Sequence, residues 1–190
     1  MARKLTATIM VLAALVAFMS LGVMAIFTDT ASVPANTFTT GTVDISTSPT
    51  TALVTFGAMA PGDQVTAPIT VTNAGTLQLR YAVTSTTTEN TLAAQLDLTI
   101  KSGVTTCTNG GFGTDGTVVY ATGDLGSTTG VNVIGDPAQG SQGGDRTLNA
   151  SVGEVLCFNV SLPSSTGNAY QALTSTATLA FQAEQTSSNP

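Results

Sequence analysis

The sequence predicts an all-β sandwich of Greek-key or jelly-roll type, and three observations predict it. Apolar and polar residues alternate with period two in stretch after stretch, the pattern of a half-buried strand. Each stretch closes on Gly, Pro, Asn or Ser, the residues that make turns. The 190-residue chain is only 8% charged and is dominated by Thr, Ser, Ala, Val and Gly, a composition suited to short strands rather than helices. The spacing of the turn signals gives about seven to nine strands. No helical stretch is expected beyond residues 91–96.

In chain order, Val43 and Ile45 share a face of the first strand, and Leu53, Val54 and Phe56 form a short apolar run ended by Gly57. A turn at Pro61-Gly62-Asp63 leads to Ile69 and Val71, which stop at Asn73-Ala74-Gly75. Leu77, Leu79, Tyr81 and Val83 alternate without a break, as do Leu96, Leu98 and Ile100. From Cys107 to about Leu148 the chain is Gly-rich, with brief apolar runs at Val118-Val119-Tyr120 and at residues 131–134, so long loops with small strands are expected. Pattern then returns: Leu156, Phe158, Val160 and Leu162 face one way, and Val155, Cys157, Asn159 and Ser161 the other. The last strand sets Ala177, Leu179, Phe181 and Ala183 on one face. The sandwich domain is read as residues 38–186, followed by a flexible tail at 187–190.

Residues 1–25 read as a signal peptide. Arg3 and Lys4 form a positive n-region, residues 5–22 an almost unbroken apolar run, and Val23-Met24-Ala25 a small-residue cleavage site, which puts the cut between Ala25 and Ile26. The alternative is a membrane-spanning helix, since residues 5–25 are just long enough for a bilayer of roughly 30 Å. Thr6, Thr8 and Ser20 weaken that run, and no basic stop-transfer cluster follows it. In either case Arg3 and Lys4 stay inside and the remainder lies outside, so the membrane is a partner only through the uncleaved precursor.

Charge narrows the partners further. The net charge of -6 becomes about -8 once the leader's two basic residues are removed, leaving Arg80, Lys101 and Arg146 as the cations. So few cations cannot neutralise phosphates, which argues against nucleic acid and against an anionic membrane surface. Cys107 and Cys157 lie on a chain read as exported, where oxidising conditions favour a disulfide between them; two buried free thiols are the alternative. Closing that loop of about 50 residues would stabilise by roughly 4 kcal/mol in the chain-entropy model. Metal binding by two cysteines without a histidine is a poor fit, and no cofactor is expected.

Ile26-Phe27-Thr28-Asp29 after the leader, then Asn36, Phe38 and Gly41-Thr42-Val43-Asp44-Ile45, resemble the TasA/camelysin family. So do Pro61-Gly62-Asp63, Ile69, Asn73, Gly75-Thr76-Leu77 and Arg80-Tyr81. The far end matches through Leu162-Pro163, Asn168-Ala169-Tyr170-Gln171 and Phe181-Gln182-Ala183-Glu184-Gln185. Both ends of the mature chain are covered, about half its length, whereas residues 107–148 are not, and the disulfide is not carried over from the family.

The resemblance implies a secreted jelly-roll subunit, processed by a dedicated signal peptidase, that polymerises into extracellular biofilm-matrix fibres or pili. In such fibres the mature N-terminal segment of one subunit completes the sheet of the next. Its implied partner is thus another copy of the chain, with an accessory or nucleating matrix protein as a second. Matched here, the donor arm is residues 26–37, and its strand is Ile26, Phe27, Thr28, Asp29, Thr30, Ala31, Ser32 and Val33. When extended, Phe27, Ala31 and Val33 share a face, Asp29 between them needs a donor or an edge, and Pro34 bounds the strand or marks its hinge. The alternative is an ordinary first strand folded onto its own domain.

Camelysin-type relatives have been described as metallopeptidases, a label this sequence does not invite. It has no H-E-x-x-H and no histidine at all, so the two imidazole ligands of a zincin and the His of a serine or cysteine triad are missing. No catalytic residue and no metal ligand is named. Three function classes stay open: a fibre subunit, a monomeric cell-surface adhesion or binding module of the same fold, and a camelysin-like peptidase. Asp115, Asp124, Asp136 and Asp145 punctuate the Gly-rich stretch but match no calcium loop, and read as solvated turn residues. Asn149-Ala150-Ser151 and Asn159-Val160-Ser161 fit the glycosylation acceptor pattern, one that short sequences meet often by chance.

Overall fold

The structure, a computed structural model, describes Met10, Thr37, residues 39–51 and residues 58–189. The signal peptide, the cut between Ala25 and Ile26, the arm from Ile26 to Val33, and the apolar run of Leu53, Val54 and Phe56 lie outside the described residues. The chain divides into two units, and the second, Thr40–Pro190, holds the sandwich.

Its strands follow the expected alternation: β1 (Ile45–Ser48), β2 (Gln64–Asn73), β3 (Leu79–Thr87), β4 (Asp97–Ser102), β5 (Thr117–Asp124), β6 (Val131–Ile134), β7 (Arg146–Leu148), β8 (Gly153–Ser161) and β9 (Ala177–Gln185). One antiparallel sheet runs in the order β1-β2-β8-β4-β5. In the other, β9 pairs with β3 from end to end, so β6 and β7 share the opposite edge of β3, at Val83–Ser85 and Leu79–Tyr81. Period two sends alternate side chains to one face, and those faces meet as a single core. Ile69, Val71, Leu98, Ile100, Leu156 and Phe158 of the first sheet pack on Leu79, Tyr81, Val83, Val133, Ile134 and Leu148 of the second. All-β sandwich is therefore the fold.

Three local readings change. Residues 91–96 form a turn, not a helix: the Glu89 carboxylate accepts the amides of Thr91, Leu92 and Ala93 at 2.6, 2.8 and 3.0 Å, and one turn later the chain enters β4. The helical geometry among the described residues of the sandwich is a 3-10 turn at Asn168–Tyr170. Val43 is exposed and precedes β1, because residues 42–44 spend their backbone bonds on the turn at 74–77 instead of on a ladder.

A loop covers part of the outer face of each sheet. Cys107 and Cys157 form a disulfide, with Cα atoms 5.6 Å apart, that holds residues 103–116 against β8 and β4. Lys101 Nζ donates to the carbonyls of Phe112 (2.8 Å) and Asp115 (3.3 Å) and sits 4.7 Å from the centre of the Phe112 ring. Asn109 Nδ2 reaches the Gln64 carbonyl at 2.8 Å. On the second sheet, Glu184 takes Arg80 Nε at 2.6 Å and the Gly140 amide at 3.0 Å, tying the 135–145 loop over Arg80. That guanidinium holds the Glu184 carboxyl below its usual range. Asn189, within the expected tail, donates to Glu184 Oε2 at 2.7 Å.

Candidate functional site: the open sheet edges and the N-terminal anchor

The strands that close one side of the sandwich leave main chain without a partner among the described residues. β1 pairs β2 only over Thr70 to Asn73, whereas β8 pairs β2 from Gln64 to Thr72. Among the described residues, 64–69 of β2 thus have one edge without a partner, and Pro68, which has no N–H to offer a ladder, sits in that stretch. In the other sheet β9 pairs, among the described residues, with β3 alone. β1 lies beside β9, so both open edges belong to the same side of the sandwich.

Burial shows what these edges lack. On β3 the inward residues Leu79, Tyr81 and Val83 are 0–1% exposed, yet the matching row on β9, Ala177, Leu179, Phe181 and Ala183, is only half-buried. Phe181 packs against the core with its ring 6.2 Å from that of Tyr81 and stays partly exposed. A strand laid along β9 would find both a row of main-chain groups and an apolar strip.

The segment entering β1 is anchored at one end of the sandwich. Thr42 O accepts the amides of Thr76 (3.0 Å) and Leu77 (3.1 Å), Asp44 O accepts that of Ala74 (2.8 Å), and the Thr42 amide donates to Thr76 Oγ1 (2.9 Å). Gly75 makes the crossing possible, since a Cβ there would collide with the Thr42 carbonyl. Beneath it Asn73 is fully buried and fully paired. Its Nδ2 donates to the carbonyls of Leu77 (2.8 Å) and Leu148 (3.1 Å), and its Oδ1 accepts the Gly75 amide (2.9 Å), so one side chain links the two sheets. Asn73→Ala leaves those three backbone groups short of a partner and is expected to cost about 2–4 kcal/mol in chemical denaturation. A loss within about 0.5 kcal/mol of zero, the usual surface range, would overturn that role.

A second polar cluster plugs the core where β7 meets β8. Glu154 shares the parity of Leu156 and Phe158 and so points inward, where it takes Arg146 Nε at 2.9 and 3.0 Å and the Tyr81 hydroxyl at 2.8 Å. Burial, reinforced by the Glu154 charge, pushes the Tyr81 pKa up, so its hydroxyl stays a donor. Glu154 in turn holds the Arg146 guanidinium above its ordinary value. Sequence reading passed over this cluster, although the strand parity of Glu154 signals an inward carboxylate.

The sequence-named residues divide accordingly. Gly41–Ile45 and Asn73–Leu77, two separate motifs in the sequence, are brought together. Cys107 and Cys157 are joined on the outer face. Asp115, Asp136 and Asp145 each accept nearby backbone amides and serve as turn residues.

The glutamates are equally committed. The chain has three glutamates, and Glu89, Glu154 and Glu184 are held by backbone amides, by Arg146 with Tyr81, and by Arg80 respectively. Both cysteines are oxidised and no imidazole exists. Among the described residues no group of three or more Asp, Glu, Cys or His is arranged to hold an ion. This donor set does not fit a zinc-peptidase centre, which needs imidazole or thiolate ligands and a free general base. Among the described residues no helix is long and apolar enough to cross a membrane.

A family model described as camelysin metallo-endopeptidase matches residues 1–189. No curated protein matches the chain.

Proposed function

The chain belongs to the camelysin family, and from that premise we propose that it is a secreted structural subunit that polymerises into extracellular filaments by donating residues 26–37 to the next copy. The observation that carries this reading is the outer edge of β9, which has no partner among the described residues, with its partly buried row of Leu179 and Phe181. An apolar strand beside that edge would finish the second sheet. The arm's alternating Phe27, Ala31 and Val33 have the period such a strand needs. The fixed crossing of Thr42 and Asp44 over residues 74–77 gives the segment that follows the arm a defined seat, from which a donated strand can be aimed.

A structural role accords better with the residues than the family's peptidase description does. The chain has no imidazole to offer zinc, its thiols are joined in a disulfide, and its three glutamates are engaged in ion pairs or turns. Negative-stain microscopy of the purified mature protein tests the proposal. Regular filaments are the expected result, and uniform monomers at all concentrations would favour a cell-surface adhesion module instead. Peptide hydrolysis that chelator abolishes, in the same preparation, would restore the peptidase.

A further inference from the structure

Two Asn-x-Ser sequons lie ten residues apart in the sequence, and the fold separates them completely. Asn159 lies on the outer face of β8, 6% exposed. Both hydrogens of its Nδ2 are committed, to Gln64 Oε1 at 3.0 Å and Thr66 Oγ1 at 2.7 Å. Its strand neighbour Cys157 anchors the disulfide-held loop, and Asn109 of that loop bonds Gln64. A sugar on Asn159 would displace this packing.

Asn149 is the opposite case. It is exposed in the turn between β7 and β8, where its carbonyl accepts the Val152 amide at 3.1 Å, and Ser151, also exposed, has φ +59°. The side-chain orientation is fixed by a relay. Thr186 Oγ1 donates to Gln78 Oε1 at 2.7 Å, so Gln78 presents its Nε2, which donates to Asn149 Oδ1 at 2.6 Å. The oxygen of Asn149 is thereby turned toward Gln78 and its amide nitrogen away from it. Among the described residues nothing accepts from that nitrogen.

We infer that Asn149 is an acceptor of an N-linked oligosaccharide and that Asn159 is not. The donor class is an oligosaccharide carried on a polyprenyl pyrophosphate, transferred by a separate enzyme that reads the hydroxyl two residues on, here Ser151. In the transfer the Asn149 Nδ2 attacks the anomeric carbon; the C–N bond forms as the C–O bond to the pyrophosphate breaks, the nitrogen gives up one proton, and the lipid pyrophosphate leaves. The β7–β8 turn lies on the side of β3 opposite β9, so a glycan there leaves the β9 edge clear.

Cleavage after Arg146 and Glu154 releases residues 147–154, which carry Asn149 alone, and leaves Asn159 on a separate peptide. Mass spectrometry of protein secreted by its own cells is expected to find a sugar mass on the first peptide and none on the second. Asn149→Gln and Ser151→Ala should each remove the modification from protein that still folds, whereas Asn159→Gln leaves it in place. An unmodified 147–154 peptide, or sugar on Asn159, overturns the assignment.

Discussion

Removing residues 26–33 is expected to abolish filaments and leave a soluble monomer that melts lower than a filament-borne subunit. Burying Phe27 in a neighbour contributes about 2–3 kcal/mol per junction from apolar area, and each main-chain bond to an accepting edge adds roughly 1 kcal/mol. Several such bonds along β9, two for every second residue, would make the arm the main source of stability at the junction. A synthetic peptide of residues 26–33 added to the truncated protein should raise its melting temperature with peptide concentration, as any ligand of the native state does. Asp29 sharpens the experiment, because its carboxylate must stay hydrated or find a donor in the junction. Replacing Leu179 or Phe181 of β9 by Asp should block assembly even with the arm intact. Filaments of normal width and normal melting temperature from the truncated chain would sink strand donation.

The second large effect concerns the covalent link on the other side of the molecule. Cys157→Ser, made together with Cys107→Ser to leave no stray thiol, is expected to lower stability by about 2–5 kcal/mol, the usual cost of losing a native disulfide in a small secreted domain. For a domain of this size that is roughly 5–15 °C in Tm. The change should be local as well as global. Without its anchor the 103–116 loop is held, among the described residues, by the Lys101 bonds to Phe112 and Asp115 and the Asn109 bond to Gln64, so hydrogen exchange should quicken there first and next at Asn159 beneath it. Two reactive thiols in the folded, oxidised parent, or an unchanged melting curve in the double variant, would contradict this.

How far the sequence could be read depended on whether a signal was local. Period two identified the inward rows of β3, β4 and β8, because alternation is imposed by the pleat itself, and it put Cys157 on the outer side. It could not say that β2 lies beside β8 or that β9 lies beside β3, since nothing in either strand names its distant partner. The row Ala177, Leu179, Phe181 and Ala183 reads in sequence like any core row; that it is only partly buried, on a strand paired on one side among the described residues, is revealed by the topology alone. The Asn73 clip was invisible for a similar reason. Its bonds go to Leu77, Leu148 and Gly75, and the run Asn73-Ala74-Gly75 reads in sequence simply as a turn. Thr91 to Leu96, the one stretch left open to a helix, closes instead as a turn whose amides the Glu89 carboxylate accepts, a bond pattern that goes no further.

The pairing of β3 with β9 also sets when the molecule can fold. Leu79 to Thr87 must wait for residues 177–185, roughly a hundred positions later, before the second sheet has its longest ladder, and β2 must wait almost as long for β8. Synthesis therefore delivers nearly the whole chain before either sheet can close. Folding of this molecule should be slow, governed by loop closure, and hard to start from a fragment. A chain with that timetable stays threadable until its last strand is made, and a narrow export channel can pass only a chain that has not yet folded.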